Sequence, residues 1–290
     1  MKVQAPAKVN LFLSVGPRRG DGLHEISSVM QSVSLFDEVA LTPADAFLLD
    51  VAPPGSAPED ETNLVVRAAQ ALWGALGRTP GTAVSLAKAI PVGAGLGGGS
   101  SDAAAALVGL NELWEGRLSR KALGRVGAAV GADVPFCVVG GTAAVRGAGE
   151  IVTPMPVRGP LWWVLAAPQE RLSTAQVYAE FDRRAEAVTA EDPFGLADAL
   201  ARGDVQTIAA ELRNDLTEAA CALAPAVRAV LDALRSAGAL GAVMSGSGSA
   251  CAGVCEGQEH AREVAEAVRG SVSFVSVVMS LDRGPRIVQK

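Results

Sequence analysis

Histidine is nearly absent from this 290-residue chain, which has only His24 and His260. That argues against a metal site built on imidazole. Lysine is almost as scarce: five against twenty arginines, so the generic surface cation here is arginine and each lysine invites a reason. No cluster of basic residues stands out and the net charge is -6, so nothing suits a nucleic-acid surface. No apolar run approaches the roughly 18 residues that span a bilayer, which predicts no membrane partner. The four cysteines, Cys137, Cys221, Cys251 and Cys255, sit in apolar surroundings without a C-x-x-C pair. They read as reduced, buried thiols of a cytoplasmic protein. The stretch Met1 to Pro6 lacks the charged-then-apolar pattern of a signal peptide, with the same implication. What is plentiful is apolar content, 49%, enough for a substantial core in two domains or one large one.

Glycine is concentrated in one place. Pro91, Val92, Gly93, Ala94, Gly95, Leu96, Gly97, Gly98, Gly99, Ser100 and Ser101 form a segment too glycine-dense for helix or strand. It runs into Asp102–Trp114, where Ala103, Ala106, Leu107, Leu110 and Trp114 predict a helix. A glycine loop opening a helix aims unpaired N–H groups and the positive end of the helix dipole at one spot, which suits phosphate. Ser100, Ser101 or Asp102 is expected to cap the helix, and a serine hydroxyl there could help hold Mg²⁺ bound to phosphates. The loop is not a P-loop, because no lysine follows Gly99. Gly93-x-Gly95-x-x-Gly98 matches the dinucleotide fingerprint, but the acid expected about 20 residues further on is missing. A flexible linker is the remaining alternative; the immediate run into Ser-Ser-Asp and good helix formers speaks against it.

Along the rest of the chain the pattern predicts strands at 8–15, one or two within 29–41, and 82–88. Helices are expected at 63–76 and 118–130, and strand with turn at 136–145. Pro154, Pro156 and Pro160 mark a boundary or crossover. Beyond it come a strand at 161–167, helices at 173–185, 193–201, 205–213, 225–237 and 259–269, and strands at 242–244, 250–255 and 272–280. The mixture reads as α+β.

Three further segments carry polar groups in suggestive places. Lys8 and Asn10, two apart on one strand, share a face; the alternative is a lysine lying along an ordinary strand. Asp133 sits in the apolar turn Gly131 to Phe136, where an acid is either a turn or cap residue or a general base for phosphoryl transfer to an alcohol. Ser245 to Ser249 is either a tight turn or a loop that closes over phosphates. Arg18 to His24 reads as a polar hairpin.

Taken in order, these segments resemble the GHMP kinase superfamily. The likeness is carried by Pro6-Ala7-Lys8-Val9-Asn10-Leu11, Arg18-Arg19-x-Asp21-Gly22-x-His24, Met30-Gln31-x-Val33-x-Leu35-x-Asp37, Asn63-Leu64 and the glycine loop ending Ser100-Ser101-Asp102-Ala103-Ala104. It continues through Gly131-Ala132-Asp133-Val134-Pro135-Phe136, Ser173-Thr174-x-x-Val177-Tyr178, Asn214-Asp215-Leu216 and Ser245-Gly246-Ser247-Gly248. The resemblance implies a ribosomal protein S5 domain 2-like N-terminal domain (1–156) and a ferredoxin-like C-terminal domain (157–290). It implies ATP as co-substrate, with Mg²⁺, and transfer to the 2-hydroxyl of 4-diphosphocytidyl-2-C-methyl-D-erythritol in the non-mevalonate route to isoprenoids. Homoserine- and mevalonate-type kinases of the same superfamily are the alternatives. By carry-over, Asp133 is the base and Lys8 orients it. Residues 91–101 wrap the ATP phosphates, with Ser101 the candidate contact to Mg²⁺. Asn63, Leu64 and Lys88 lie near adenine; Asn10, His24, Tyr178 and Ser247 lie on the acceptor side, with His24 reading the cytosine edge and Tyr178 stacking on it. At Leu23 the chain departs from the resemblance, which has tyrosine there stacking on the base. Oligomeric state, monomer or homodimer, is not indicated.

Overall fold

The computed structural model describes residues 1–184 and 189–290. The chain opens on two long strands, β1 (Lys2–Arg18) and β2 (His24–Pro43), followed by β3 (Leu48–Ala52), helix α1 (Leu64–Leu76) and β4 (Thr82–Ala87). Next come α2 (Gly98–Leu113), α3 (Arg120–Ala128), α4 (Val134–Val139), β5 (Thr142–Gly147) and β6 (Ile151–Pro154). The later half holds β7 (Trp162–Ala167), α5 (Thr174–Arg184), α6 (Phe194–Arg202), α7 (Val205–Ala210), the short β8 (Arg213–Asn214), α8 (Thr217–Leu223) and α9 (Ala226–Ser236). It ends with β9 (Gly241–Met244), β10 (Cys251–Cys255), α10 (Gln258–Val268), β11 (Phe274–Met279) and β12 (Arg286–Gln289).

Two sheets organise these elements. The larger has the order β12-β1-β2-β4-β3, with β5 and β6 continuing from the other half of β2 and β8 beside β1. The smaller is β11-β7-β10-β9, antiparallel throughout. Helices α1 and α2 cover one face of the larger sheet, where Ala103 to Leu110 pack on Val3, Val39, Leu41 and Leu86. A second apolar cluster joins the sheets, with Ala7, Val9 and Leu11 of β1 against Trp163 and Leu165 of β7. The third lies beyond the smaller sheet, under α8, α9 and α10.

One irregularity positions the site. Val3 and Ala5 belong to the cluster under α2, whereas Ala7, Val9 and Leu11, with the same odd parity, belong to the cluster between the sheets. The register of β1 on β2 shifts between Pro6 and Ala7. Two residues of β2, Ser34 and Leu35, have no partner on β1 there, and the faces exchange across this irregularity. Lys8 and Asn10 are thereby turned towards the start of α2.

Several sequence expectations are corrected. Residues 29–41 are not two strands but part of the single twenty-residue β2. Of residues 136–145, expected as strand with turn, 136–139 belong instead to α4: Pro135 lies in its first turn, where a fixed φ favours a helix start, and a short apolar run does not reveal its period. Helix α2 begins at Gly98, four residues earlier than expected, and its N-cap is Gly97 with no side-chain cap bond. Helix α7 stops at Ala210, and Arg213–Asn214 instead pairs with β1. Strands β3, β6, β8 and β12 and helix α8 gave no clear periodic signal, being only two to seven residues long. The helix expected at 173–185 is α5; its last residue, 185, lies outside the described residues.

Candidate active site

A cleft of about 1000 Å³ opens where the glycine loop, β1, α5 and the turn after β9 meet. Every site residue named from the sequence lines it except Ser101. That residue is fully buried and its hydroxyl donates to the Pro6 carbonyl at 2.6 Å. It therefore does not fit the role of a magnesium contact. The reason lies in the helix start: beginning at Gly98 puts Ser101 on the inner face of the first turn, where its N–H also bonds to Gly97 O at 2.8 Å. Among the described residues no group of three or more His, Cys, Asp or Glu is arranged to hold a metal.

The loop is fastened on both sides, which excludes the linker reading. Lys8 N–H donates to Leu96 O and Ala250 N–H to Ala94 O, each at 2.9 Å, and Ser245 Oγ donates to Gly95 O at 2.9 Å. Ala94 and Leu96 are buried among apolar neighbours, anchoring the segment between the glycines. Gly95 (φ +80°) and Gly97 (φ +69°) are left-handed. A Cβ on Gly97 would lie 2.7 Å from Lys8 Cγ, and one on Gly95 would overlap the Ser245 carbonyl. Only glycine allows this approach. The first N–H groups of α2, from Gly98, Gly99 and Ser100, have no acceptor within the helix and point out of its start.

Lys8 lies beside this helix start. Its ammonium donates to Asn10 Oδ1 at 2.6 Å and pairs with Asp133 Oδ2 at 3.3 Å. Asn10 is held in turn: its amide donates to Ser28 Oγ, its N–H to Ser245 Oγ, and Ser28 Oγ to the Phe12 carbonyl. Asp133 stands at the N-cap of α4, but its side chain makes no cap bond there. It faces the cleft, 30% exposed, while Lys8 is 4% exposed. Two residues 125 positions apart in sequence thus form one cation–carboxylate pair.

Lys88 lines the cleft too, but its ammonium is committed. It bonds Asp37 and, at 2.5 Å, Asp102, in a triad closed off from water. Asp37 also accepts N–H bonds from Ala89 (2.5 Å) and Ile90 (2.8 Å). Burial lowers the affinity of Lys88 for its proton, yet the charges of Asp102 and Asp37 more than reverse this. The second carboxylate is in surplus: burial first, then repulsion from Asp37, pushes Asp102 up to about 8 against the pull of Lys88. Its Oδ1 is buried without a hydrogen-bond partner. Neither acid was singled out as a site residue from the sequence; the scarcity of lysine was the only signal that Lys88 needed a counter-charge.

Asn63 caps α1, its Oδ1 accepting from Val65 N–H and its amide donating to Pro58 O, so Asn63 and Leu64 present a fixed edge to the cleft. At the other end His24 packs against two rings of α5: Tyr178 at 5.3 Å between centroids, tilted 34°, and Phe181 edge-on at 6.2 Å. Burial, and then the charge of Asp133, pushes the Tyr178 phenol up to about 12, so it is neutral. Leu23 lines the cleft and is 53% exposed. The turn after β9 is fixed by Asn214, whose amide donates to Met244 O and Gly246 O at 2.7 Å each, and Ser247 Oγ lies 2.8 Å from Thr174 Oγ1.

A glycine loop at a helix start, facing a lysine–carboxylate pair across an open cleft, is the arrangement of a phosphotransferase acting on a small molecule. The family models agree. The one described as GHMP kinases N terminal domain matches residues 63–141, and GHMP kinases C terminal matches residues 196–272. A protein of Thermobifida fusca named 4-diphosphocytidyl-2-C-methyl-D-erythritol kinase is 45% identical, over 95% of this chain and 94% of its own length. A protein of the same name from Nocardia farcinica is 46% identical, over 93% and 89%. The crystal structure of a 4-(cytidine 5'-diphospho)-2C-methyl-D-erythritol kinase superposes with a TM-score of 0.81 at 37% identity, covering 97% of this chain and 99% of that one. A homoserine kinase from Cytophaga hutchinsonii shares the fold, with a TM-score of 0.80 at 24% identity over 99% and 97%. The chain belongs to the GHMP kinase family.

Proposed function

We infer that this protein is an ATP-dependent kinase that phosphorylates the 2-hydroxyl of 4-diphosphocytidyl-2-C-methyl-D-erythritol, giving the 2-phosphate and ADP, in the non-mevalonate route to isoprenoids. The observation that carries the reading is the Lys8–Asp133 pair beside the helix start of the glycine loop. The names of the relatives support the acceptor, and so does the ring-lined end of the cleft around His24 and Tyr178.

In this reading the loop N–H groups and the dipole of α2 hold the ATP phosphates, with adenine against Asn63 and Leu64. Lys88 acts through Asp102 as part of the floor. Asp133 takes the proton of the acceptor hydroxyl as its oxygen attacks the γ-phosphorus in line, and ADP leaves with no covalent enzyme intermediate. Lys8 orients Asp133 and offsets charge on the transferring group, and Asn10 fixes Lys8. Tyr178 and His24 take the cytosine, and Ser247 the acceptor's phosphates; Leu23 adds apolar contact without stacking. Mg²⁺ is proposed to arrive on the nucleotide phosphates, and no step here is assigned to a protein-held metal. We divide the chain at 156/157, where the connection after β6 leaves the larger sheet for the smaller. Four cysteines free of disulfides fit a cytoplasmic setting.

The deciding experiment is a coupled ADP-release assay with the cytidylated alcohol, homoserine and mevalonate side by side. Turnover on the first alone is expected; turnover only on another sinks the acceptor assignment. The loop reading has its own check. Gly95→Ala places a Cβ on a left-handed residue, at about 1–2 kcal/mol, and against the Ser245 carbonyl. ATP affinity by calorimetry is expected to fall about tenfold or more, together with the thermal midpoint. Unchanged values for both would show that the loop does not need this close approach.

A further inference from the structure

The ammonium of Lys88 is shared by two carboxylates, and all three groups sit directly beneath the start of α2. A Cβ on Gly98, the first residue of that helix, would lie 3.2 Å from Lys88 Nζ. Little more than the thickness of the backbone therefore separates the triad from the free N–H groups that the loop offers to phosphate. The side chains of Lys88, Asp37 and Asp102 are 4%, 0% and 3% exposed, so solvent ions screen them little. The two acids differ in support. Asp37 accepts from Lys88 and from the N–H groups of Ala89 and Ile90. Asp102 accepts from Lys88 alone, and its Oδ1 is buried without a partner. The two carboxyls are within hydrogen-bond reach of one another.

With both acids ionised the triad carries one surplus negative charge; with one of them protonated it carries none. Like charges in contact favour the second state, with the proton between the pair. That proton belongs with Asp102, the less supported acid. Burial first, then repulsion from Asp37, keeps it on up to about pH 8 against the pull of Lys88. Beyond Lys88 and Asp37, the titratable group facing Asp102 is Cys137 of α4, whose thiol is raised by burial and then by the charge of Asp133 and stays neutral. Lys8, paired with Asp133, packs at the head of the helix against Gly97. Phosphates arriving over Gly98 bring several negative charges to the other side of the same backbone. A surplus carboxylate charge opposes them, whereas a neutral acid does not.

We propose that Asp102 sets nucleotide affinity: binding of the ATP phosphates at the start of α2 draws one proton onto the Asp37–Asp102 pair, and ATP binds more weakly to the form in which both acids are ionised. This rests on the reading of the glycine loop as the ATP phosphate site. The bound nucleotide raises the proton affinity of Asp102 above its value in the free protein. ATP affinity is therefore full below about pH 8, where the proton is on in both states, and falls as pH rises above it.

Calorimetric titration of the intact protein with ATP, in buffers of differing ionisation enthalpy, reads affinity and proton uptake together. The parent protein is expected to take up about half a proton at about pH 8, and to bind ATP about tenfold more weakly at about pH 9 than at about pH 7. The phosphates lose their own last proton near about pH 6, well below this range. Asp102→Asn, whose amide imitates the neutral acid, is expected to keep its neutral-pH affinity across the same range and to take up no proton. Its thermal midpoint checks that it folds, and the parent measurement needs no variant. Asp133 also faces the phosphates, so uptake that persists undiminished in Asp102→Asn gives the proton to another group and overturns the proposal. ATP binding by the parent protein without a linked proton defeats this inference alone. No ATP binding at any pH defeats the reading of the loop and this inference with it.

Discussion

Asp133→Asn is expected to lower kcat by about 10²- to 10⁴-fold, the contribution of a positioned general base, while ATP binds as before. Two observations make this a clean substitution. The side chain makes no cap bond to α4, so the helix start does not depend on its carboxylate. It is also 30% exposed, so the amide is not forced into an apolar site. What is lost is the proton acceptor beside Lys8, together with the charge that pairs with its ammonium. Steady-state turnover with saturating ATP, read alongside a calorimetric ATP titration, separates chemistry from nucleotide binding. Turnover within a few-fold of the parent would remove Asp133 from the role of base.

Lys88→Met is expected to be the most destabilising single change at the site. It keeps the length of the side chain but leaves Asp37 and Asp102 facing one another, both buried. Removing one partner of a buried ion pair costs about 3–5 kcal/mol, which for a chain of this size lowers the thermal midpoint by roughly 10 °C. The companion variant Asp102→Asn tests which acid is in surplus. In the folded state Asp102 holds its proton up to about 8, whereas in the unfolded chain it releases it near the ordinary carboxylate value. Between those limits the folded state binds the extra proton, so this group makes stability fall as pH rises towards 8. The amide imitates the protonated acid and leaves Lys88 balanced against Asp37 alone. Thermal midpoints across pH 5 to 8 are therefore expected to fall less steeply in Asp102→Asn than in the parent. Parallel pH profiles would show that Asp102 is ionised throughout.

How much of this was legible beforehand differs from residue to residue. The glycine loop announced itself, because backbone that must approach another chain segment closely demands glycine locally, and Gly95 lies against Ser245 and Gly97 against Lys8. Asn63 and Ser119 cap α1 and α3, and their residue type is a local signal of a helix start, although the periodic pattern set those starts at 63 and 118. Asp133 was ambiguous between cap and base in the sequence, since its neighbours are the same in either case; its side chain makes no cap bond and instead contacts Lys8, which supports the proposed role as base. Ser101 was misread because a serine after glycines looks like a cap, and only the start of α2 at Gly98 turns its hydroxyl inward to Pro6. Asp37 and Asp102 were named as a motif residue and a possible cap but not as partners of Lys88, because an acid's partner is set by distance in space, 51 and 14 residues away in sequence for these two.

The sequence by itself determined the α+β class, the loop at the start of α2 and the inventory of chemistry-bearing residues, because turn conformation, periodicity and side-chain type are local properties. Tertiary structure decided which way they face. Alternation along β1 puts Lys8 and Asn10 on a common face, but not on a particular side of the sheet. The irregularity at Pro6–Ala7 inverts the faces and turns that pair towards the glycine loop. The packing of α4 and α5 around it then brings Asp133 to Lys8 and Asp182 to His24. Those pairings depend on long-range register and helix packing, which no window of local sequence contains.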